Sequence, residues 1–87
     1  MTDKLSSLRN EIDLLDEQLW DIIAMRINVA RKIGEWKRAN HQPIVQEQRF
    51  QEVLAHCIKW GEKYDFSKEL ILEIMNALHK ESIRVES

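Results

Sequence analysis

Residues 20–37 read WDIIAMRINVARKIGEWK, and they form the middle of an apolar repeat that decides the fold. Its members are spaced alternately three and four residues apart, which is typical of a long helix packed along another helix. The repeat consists of Leu5, Leu8, Ile12, Leu15, Leu19, Ile22, position 26, Val29, Ile33 and Trp36. Position 26 holds an arginine, so the pattern places a permanent cation at a core position.

The length of this repeat predicts that a second chain is needed. A helix over residues 5–39 would be about 50 Å long, at about 1.5 Å per residue. The chain has only 87 residues, and a compact monomer of that size cannot cover such a helix along its length. We therefore expect a partner helix from another copy, within an intertwined helical oligomer.

A second, shorter helix is expected after a loop. Pro43 disfavours helix in the residue before it, so residues 39–46 are predicted to be a loop. The next apolar stripe has helical spacing and predicts a helix over about residues 47–61, ended by Gly61 and the segment GEKYDF at residues 61–66. This stripe consists of Phe50, Val53, Leu54, Cys57 and Ile58.

A third helix is predicted over about residues 68–85. Ser67 is a favourable N-cap, and Glu69 in the first turn suits the helix dipole. The stripe comprises Leu70, Ile71, Ile74, Met75, Leu78, Ser82 and Val85. Strand patterns are missing from the sequence. We therefore predict an all-α fold, with residues 1–87 as one three-helix domain.

The composition argues against several classes of protein. A single cysteine allows no disulfide within the chain. The three histidines, His41, His56 and His79, have no second ligand at helical spacing, so no metal site is expected. No apolar run suits a membrane span or a signal peptide, which predicts a cytoplasmic protein without membrane partners. The net charge of −2 argues against a nucleic-acid partner.

The cations on the core face predict a small anionic ligand. A buried arginine needs an acidic partner, either a side chain or a ligand. Lys37 lies on nearly the same helix face as Arg26, about 16 Å further along the axis. Arg9 lies about 25 Å before Arg26, so it can serve only a site in a second chain. The remaining cations of this region, Arg31, Lys32 and Arg38, are predicted to be solvated.

These residues resemble the all-helical chorismate mutase family. The match comprises LRNEIDLLDEQLWDIIAMR at residues 8–26, Lys37, the loop HQPIV at residues 41–45, and Arg49, and the resemblance covers nearly the whole chain. It implies three-helix chains that intertwine as homodimers, with two active sites buried inside the bundle. It also implies an isomerase that converts chorismate to prephenate in phenylalanine and tyrosine biosynthesis.

The resemblance assigns a role to each matching residue. Arg9 would reach a substrate carboxylate in the partner's site, and Arg26 would bind a carboxylate in its own site. Lys37 would contact a carboxylate and the ether oxygen. Arg49 would support the site, and Ser82 matches a small polar position near the ring carboxylate.

Three positions depart from the best-known bacterial pattern. Gln46 stands where an acidic loop residue is found, and Phe50 replaces a glutamate that binds the substrate hydroxyl. Hydroxyl recognition would then need another group, such as a loop backbone group. Glu86 occupies a position where many relatives carry glutamine and some, including fungal ones, carry glutamate.

The implied reaction is a concerted intramolecular rearrangement, so neither a nucleophile nor a cofactor is needed. The site must orient the enolpyruvyl arm and stabilise charge growing on the ether oxygen. An ionised Glu86 would repel that oxygen, whereas a protonated one could donate a hydrogen bond to it. We predict that kcat/KM falls as pH rises through neutrality, and that Glu86→Gln removes the fall.

Two other functions fit the same residues. Isochorismate pyruvate-lyases resemble this family and use the same cations, and Phe50 keeps that reaction open. A non-catalytic role is the other, as a dimerisation or regulatory domain excised from a fusion with another enzyme of aromatic biosynthesis. Identifying the products formed from chorismate and from isochorismate tests the first alternative. Comparing the turnover of this chain with that of any longer parent protein tests the second.

Overall fold

The computed structural model describes residues 3–87, and every regular element in that range is an α-helix. Helix α1 spans Lys4–Ala39, α2 spans Glu47–Lys63 and α3 spans Lys68–Glu86. The predicted all-α, three-helix chain is therefore confirmed. The first two residues of the predicted domain lie outside the described range.

Side-chain caps start two of the helices. The Asp3 carboxylate accepts a hydrogen bond from the Ser6 backbone N–H at 2.7 Å, which holds the pKa of Asp3 below its usual value. The Ser67 hydroxyl accepts from the Leu70 N–H at 3.1 Å, as the sequence predicted. Each cap satisfies one of the free N–H groups of a first helical turn.

Helix α2 ends at Lys63, two residues past Gly61 and within the GEKYDF segment that was predicted to end it. A Cβ atom at Gly61 would lie 2.7 Å from Cγ1 of Ile71 in α3. The glycine therefore allows close packing between two helices, and its carbonyl accepts hydrogen bonds from the Tyr64 and Phe66 N–H groups in the turn that ends α2. The chain turns afterwards, where Asp65 adopts a φ of 58°.

Helix α3 packs against both other helices, whereas α1 and α2 do not contact each other within the described residues. The buried residues of α1 are Ile27, Ala30 and Gly34, all in its second half. Only that half of α1 therefore joins the small core, and its first half projects beyond the other helices.

The projecting half carries an exposed apolar stripe. Leu8, Ile12 and Leu19 are 47%, 57% and 52% exposed, and the chain measures 61 × 25 × 15 Å. Arg26 is also exposed. The predicted burial of position 26 is therefore not met within one chain, although its side chain contacts Ser82 of α3. None of the described helices has the length and hydropathy to cross a membrane.

Candidate active site

A cavity of about 530 Å³ lies where the second half of α1 meets the start of α2 and the second half of α3. Hydrophobic side chains, including Val29, Ile33 and Val53, form much of its wall. Its polar lining residues are Arg26, Lys37, Gln46, Arg49, His79, Ser82 and Glu86. Five of the six residues predicted for the site thus line one cavity, and Arg9 does not.

Arg26 reaches the cavity from α1 and contacts α3. Its Nη1 donates to the Ser82 Oγ at 3.2 Å, and Ser82 is buried. A guanidinium carries five N–H donors, so this bond leaves others for a ligand. Ser82 orients the arginine, and the pair presents a charged hydrogen-bonding group to the cavity.

Lys37 and Glu86 form an ion pair that is nearly closed to solvent. The Lys37 Nζ lies 2.6 Å from the Glu86 Oε1, and the side chains are 13% and 9% exposed. The same ammonium donates to the Ile44 carbonyl in the α1–α2 loop at 2.7 Å. Removing one partner of such a pair leaves a buried charge, at a cost of about 3–5 kcal/mol.

The position of Glu86 depends on two residues that sequence reasoning missed. A Cβ atom at Gly34 would lie 2.6 Å from the Glu86 Cα, so only glycine lets the end of α3 approach α1 this closely. Arg38 donates a hydrogen bond to the Glu86 carbonyl. Arg38 is exposed, as predicted, but the sequence pattern contains no signal for its hydrogen bond to a residue 48 positions away.

Arg49 is the most open cation of the cavity. Its side chain is 69% exposed, and it pairs with Glu52 of the same helix at 3.5 Å. Surface ion pairs of this kind contribute about 0–1 kcal/mol, so the contact does not fix the guanidinium firmly. Arg49 is free to turn toward an anion in the cavity.

Two aromatic rings face each other at the cavity wall. The Phe50 and His79 ring centroids lie 3.6 Å apart, and the ring planes differ by 6°. The sequence analysis considered His79 only as a possible metal ligand. Its position three residues before Ser82 could have placed it on the same helix face. The Gln46 amide donates to the Pro43 carbonyl at 3.3 Å, within the loop.

The charge of the cavity favours an anion. Three permanent or near-permanent cations line it, against one carboxylate that is already paired. No cluster of three or more potential metal ligands occurs within residues 3–87. The arrangement can hold a small molecule with more than one negative group and can place an ammonium beside a third atom of that molecule.

Comparison with known proteins agrees with this chemistry. The profile of the family described as "Chorismate mutase type II" matches residues 8–87. The 4-amino-4-deoxychorismate mutase of Streptomyces pristinaespiralis is 27% identical over 85 residues, covering 98% of this chain and 66% of that protein.

Two longer relatives match as well. The T-protein of Enterobacter agglomerans is 30% identical over 87 residues, which are 100% of this chain and 23% of that protein. The bifunctional chorismate mutase/prephenate dehydratase of Buchnera aphidicola is 30% identical over 78 residues, 90% of this chain and 20% of that protein. The chain thus spans less than a quarter of these two relatives' lengths.

Proposed function

The chain belongs to the chorismate mutase type II family, and on this premise we propose that it rearranges chorismate to prephenate. The observation that carries the proposal is the convergence of Arg26, Lys37 and Arg49 on one cavity that contains a single, paired carboxylate. Chorismate has two carboxylates, which match an excess of cations.

The reaction is an intramolecular Claisen rearrangement, so the site has two tasks. It holds the enolpyruvyl arm over the ring, which lowers the barrier by removing rotational freedom before the reaction. It also stabilises the negative charge that develops on the ether oxygen as the C–O bond breaks. Neither task needs a nucleophile or a bound cofactor.

Lys37 is suited to the second task. An ammonium has three N–H donors, and two of them are used by the Ile44 carbonyl and the Glu86 carboxylate. These two bonds fix the ammonium, and the third proton remains for the ether oxygen. A donor fixed before the reaction stabilises the transition state without reorganising.

Arg26 and Arg49 are suited to the first task. A guanidinium binds a carboxylate through two parallel hydrogen bonds and keeps its charge at any working pH. Ser82 orients Arg26, and the loosely paired Arg49 closes on the substrate. Glu86 accepts a hydrogen bond from Lys37 and so holds the ammonium in place.

The functional unit in this proposal is an intertwined homodimer. The radius of gyration is 16.8 Å, whereas a compact domain of this length has about 12 Å. The accessible surface is 7367 Å², against about 5,400 Å² for a compact monomer of this mass. The excess of about 2,000 Å² suits an obligate interface, in which a second copy covers the exposed stripe of α1.

Arg9 supports the same dimer. It lies on the projecting half of α1 and does not line its own chain's cavity. In the proposed dimer it enters the partner's cavity and binds a carboxylate there, which also buries Arg26. Residues 1–87 then act as one domain, with each site built from two chains.

The direct test is an assay of chorismate loss with identification of the product. Chorismate and isochorismate are supplied separately, because the alternative reaction, pyruvate elimination from isochorismate, would use the same cations. Prephenate from chorismate is the expected product. Pyruvate release from isochorismate, without prephenate formation from chorismate, would contradict the proposal.

A link to a second enzyme of the same pathway is also supported. The relative from Buchnera aphidicola is named as a bifunctional chorismate mutase/prephenate dehydratase, and it is much longer than this chain. We propose a domain that works alone or beside such a partner in the cytoplasm. Equal turnover by this chain and by any longer parent would argue against a purely regulatory role.

A further inference from the structure

The stacked rings of Phe50 and His79 form a wall that the proposed mechanism does not use. Phe50 comes from α2 and His79 from α3, and both residues are half-buried. The stack fixes the plane of the imidazole. No hydrogen bond or ion pair within residues 3–87 engages its two ring nitrogens. A neutral imidazole donates through one nitrogen and accepts through the other, so the wall offers an unused polar edge.

His79 lies in line with two groups already assigned to the site. His79, Ser82 and Glu86 are spaced by three and four residues on one face of α3, about 4.5 Å and 6 Å apart along its axis. Ser82 holds Arg26 and Glu86 holds Lys37. His79 is therefore at the end of this row that is farther from the Lys37–Glu86 ion pair. A substrate ring whose carboxylates are bound by Arg26 and Lys37 presents a further substituent at this end.

The charge at this wall separates two candidate substrates. A relative is named 4-amino-4-deoxychorismate mutase, and its substrate carries an amino group, protonated at neutral pH, where chorismate carries a hydroxyl. The wall has no carboxylate, and Glu86, the one acid lining the cavity, is paired with Lys37. His79 also covers one face of Phe50, which reduces the aromatic surface for a cation–π contact.

We propose that His79, held by Phe50, is a specificity-determining residue that hydrogen-bonds the ring hydroxyl of the substrate. The site therefore selects chorismate over 4-amino-4-deoxychorismate. An ammonium at this position would find no free carboxylate among the residues that line the cavity. The inference rests on the proposed function, since it names the substituent that the same site accepts.

The test compares kcat/KM for chorismate, 4-amino-4-deoxychorismate and a chorismate analogue that lacks the ring hydroxyl. The parent chain should prefer chorismate to the amino substrate by at least about tenfold. His79→Phe keeps an aromatic stack but removes both nitrogens. It should lower kcat/KM for chorismate about tenfold and leave that for the hydroxyl-free analogue unchanged.

Two further variants sharpen the comparison. Phe50→Glu adds a carboxylate to the wall and should move the substrate preference toward the amino compound by about tenfold or more. His56→Phe is the matched control, because His56 packs edge-on against Trp60 and does not line the cavity. It should leave kcat/KM for all three compounds unchanged. Thermal melts should show that every variant is folded.

The possible outcomes separate the two proposals. A parent chain that turns over chorismate but prefers the amino substrate would overturn the role of this wall and leave the proposed function standing. Equal losses for chorismate and the hydroxyl-free analogue in His79→Phe would do the same, because a purely structural residue affects both. A parent chain that rearranges none of the three compounds would overturn the proposed function, and this inference with it.

Discussion

The ammonium group of Lys37 is held by one loop carbonyl and one carboxylate, and both contacts are shielded from solvent. Lys32 lies on the same helix and is exposed. The two lysines therefore make a matched pair in which only one reaches the cavity. The proposed catalysis depends on this difference between a positioned cation and a solvated one.

Lys37→Ala should lower kcat/KM by about 10²–10³, because it removes a fixed donor to the ether oxygen. Steady-state kinetics with chorismate measure the loss, and Lys32→Ala should stay near the parent value. Similar losses in both variants would mean that general electrostatics, rather than a contact at the ether oxygen, produces the effect.

Glu86→Gln tests the acid beside Lys37. The sequence predicts that kcat/KM of the parent falls as pH rises through neutrality and that this variant removes the fall. This stays a prediction, since the structure shows only the pair between the Glu86 carboxylate and the Lys37 ammonium. Profiles from pH 5 to 8 measure the difference, and a flat parent profile would rule the idea out.

The sequence predicted some site residues and missed others for one physical reason. Arg26 and Ser82 occupy positions of apolar stripes, so helical spacing pointed to inward faces, whereas Lys37 was assigned to the site through the family resemblance. Gly34 and Arg38 act on Glu86 through contacts between distant parts of the chain. Periodicity along one helix does not encode such contacts.

Gly34 controls the site at the scale of a helix pair. In Gly34→Ala the new methyl group would meet the Glu86 backbone at 2.6 Å, so α1 and α3 must separate. We expect a loss of stability of about 1–3 kcal/mol and a fall in kcat, because Glu86 no longer holds Lys37. Thermal or denaturant unfolding and kinetics report the two effects.

Gly61→Ala is the control for this helix-pair effect. Its methyl group would meet the Ile71 side chain at 2.7 Å, far from the cavity. Stability should change while kcat/KM for the folded enzyme does not. A Gly34→Ala variant with parent kinetics would contradict the positioning of Glu86 by this contact.

Ser67 tests the start of the helix that carries Ser82 and Glu86. Ser67→Ala removes the cap on the Leu70 N–H and should destabilise the fold by about 0.5–2 kcal/mol. Ser67→Asp, which also caps, should restore most of the stability. Denaturant unfolding measures both, and an unchanged midpoint in Ser67→Ala would show that the cap contributes nothing.

Helix number and most helix ends could be predicted because stripes, caps and Pro43 act locally. The close contact at Gly61 could not, because its partner, Ile71, lies on the next helix and leaves no local signal in the sequence. Local rules therefore predict the helices more reliably than they predict which residues of different helices pack together.

For the whole molecule, the projecting half of α1 is the decisive feature. Its exposed leucines and isoleucines predict a dimer whose unfolding midpoint rises with protein concentration, because association stabilises only the folded state. Sedimentation equilibrium should give twice the chain mass. A monomer at all accessible concentrations would remove the proposed partner for Arg9.

The most direct test of the shared site is to mix two inactive variants. Arg9→Ala and Arg26→Ala chains are unfolded together and refolded, so that mixed dimers form with one site that has both arginines and one that has neither. Random pairing should restore about a quarter of the parent activity. A mixture no more active than the mean of the two separate variants would contradict a site built from two chains.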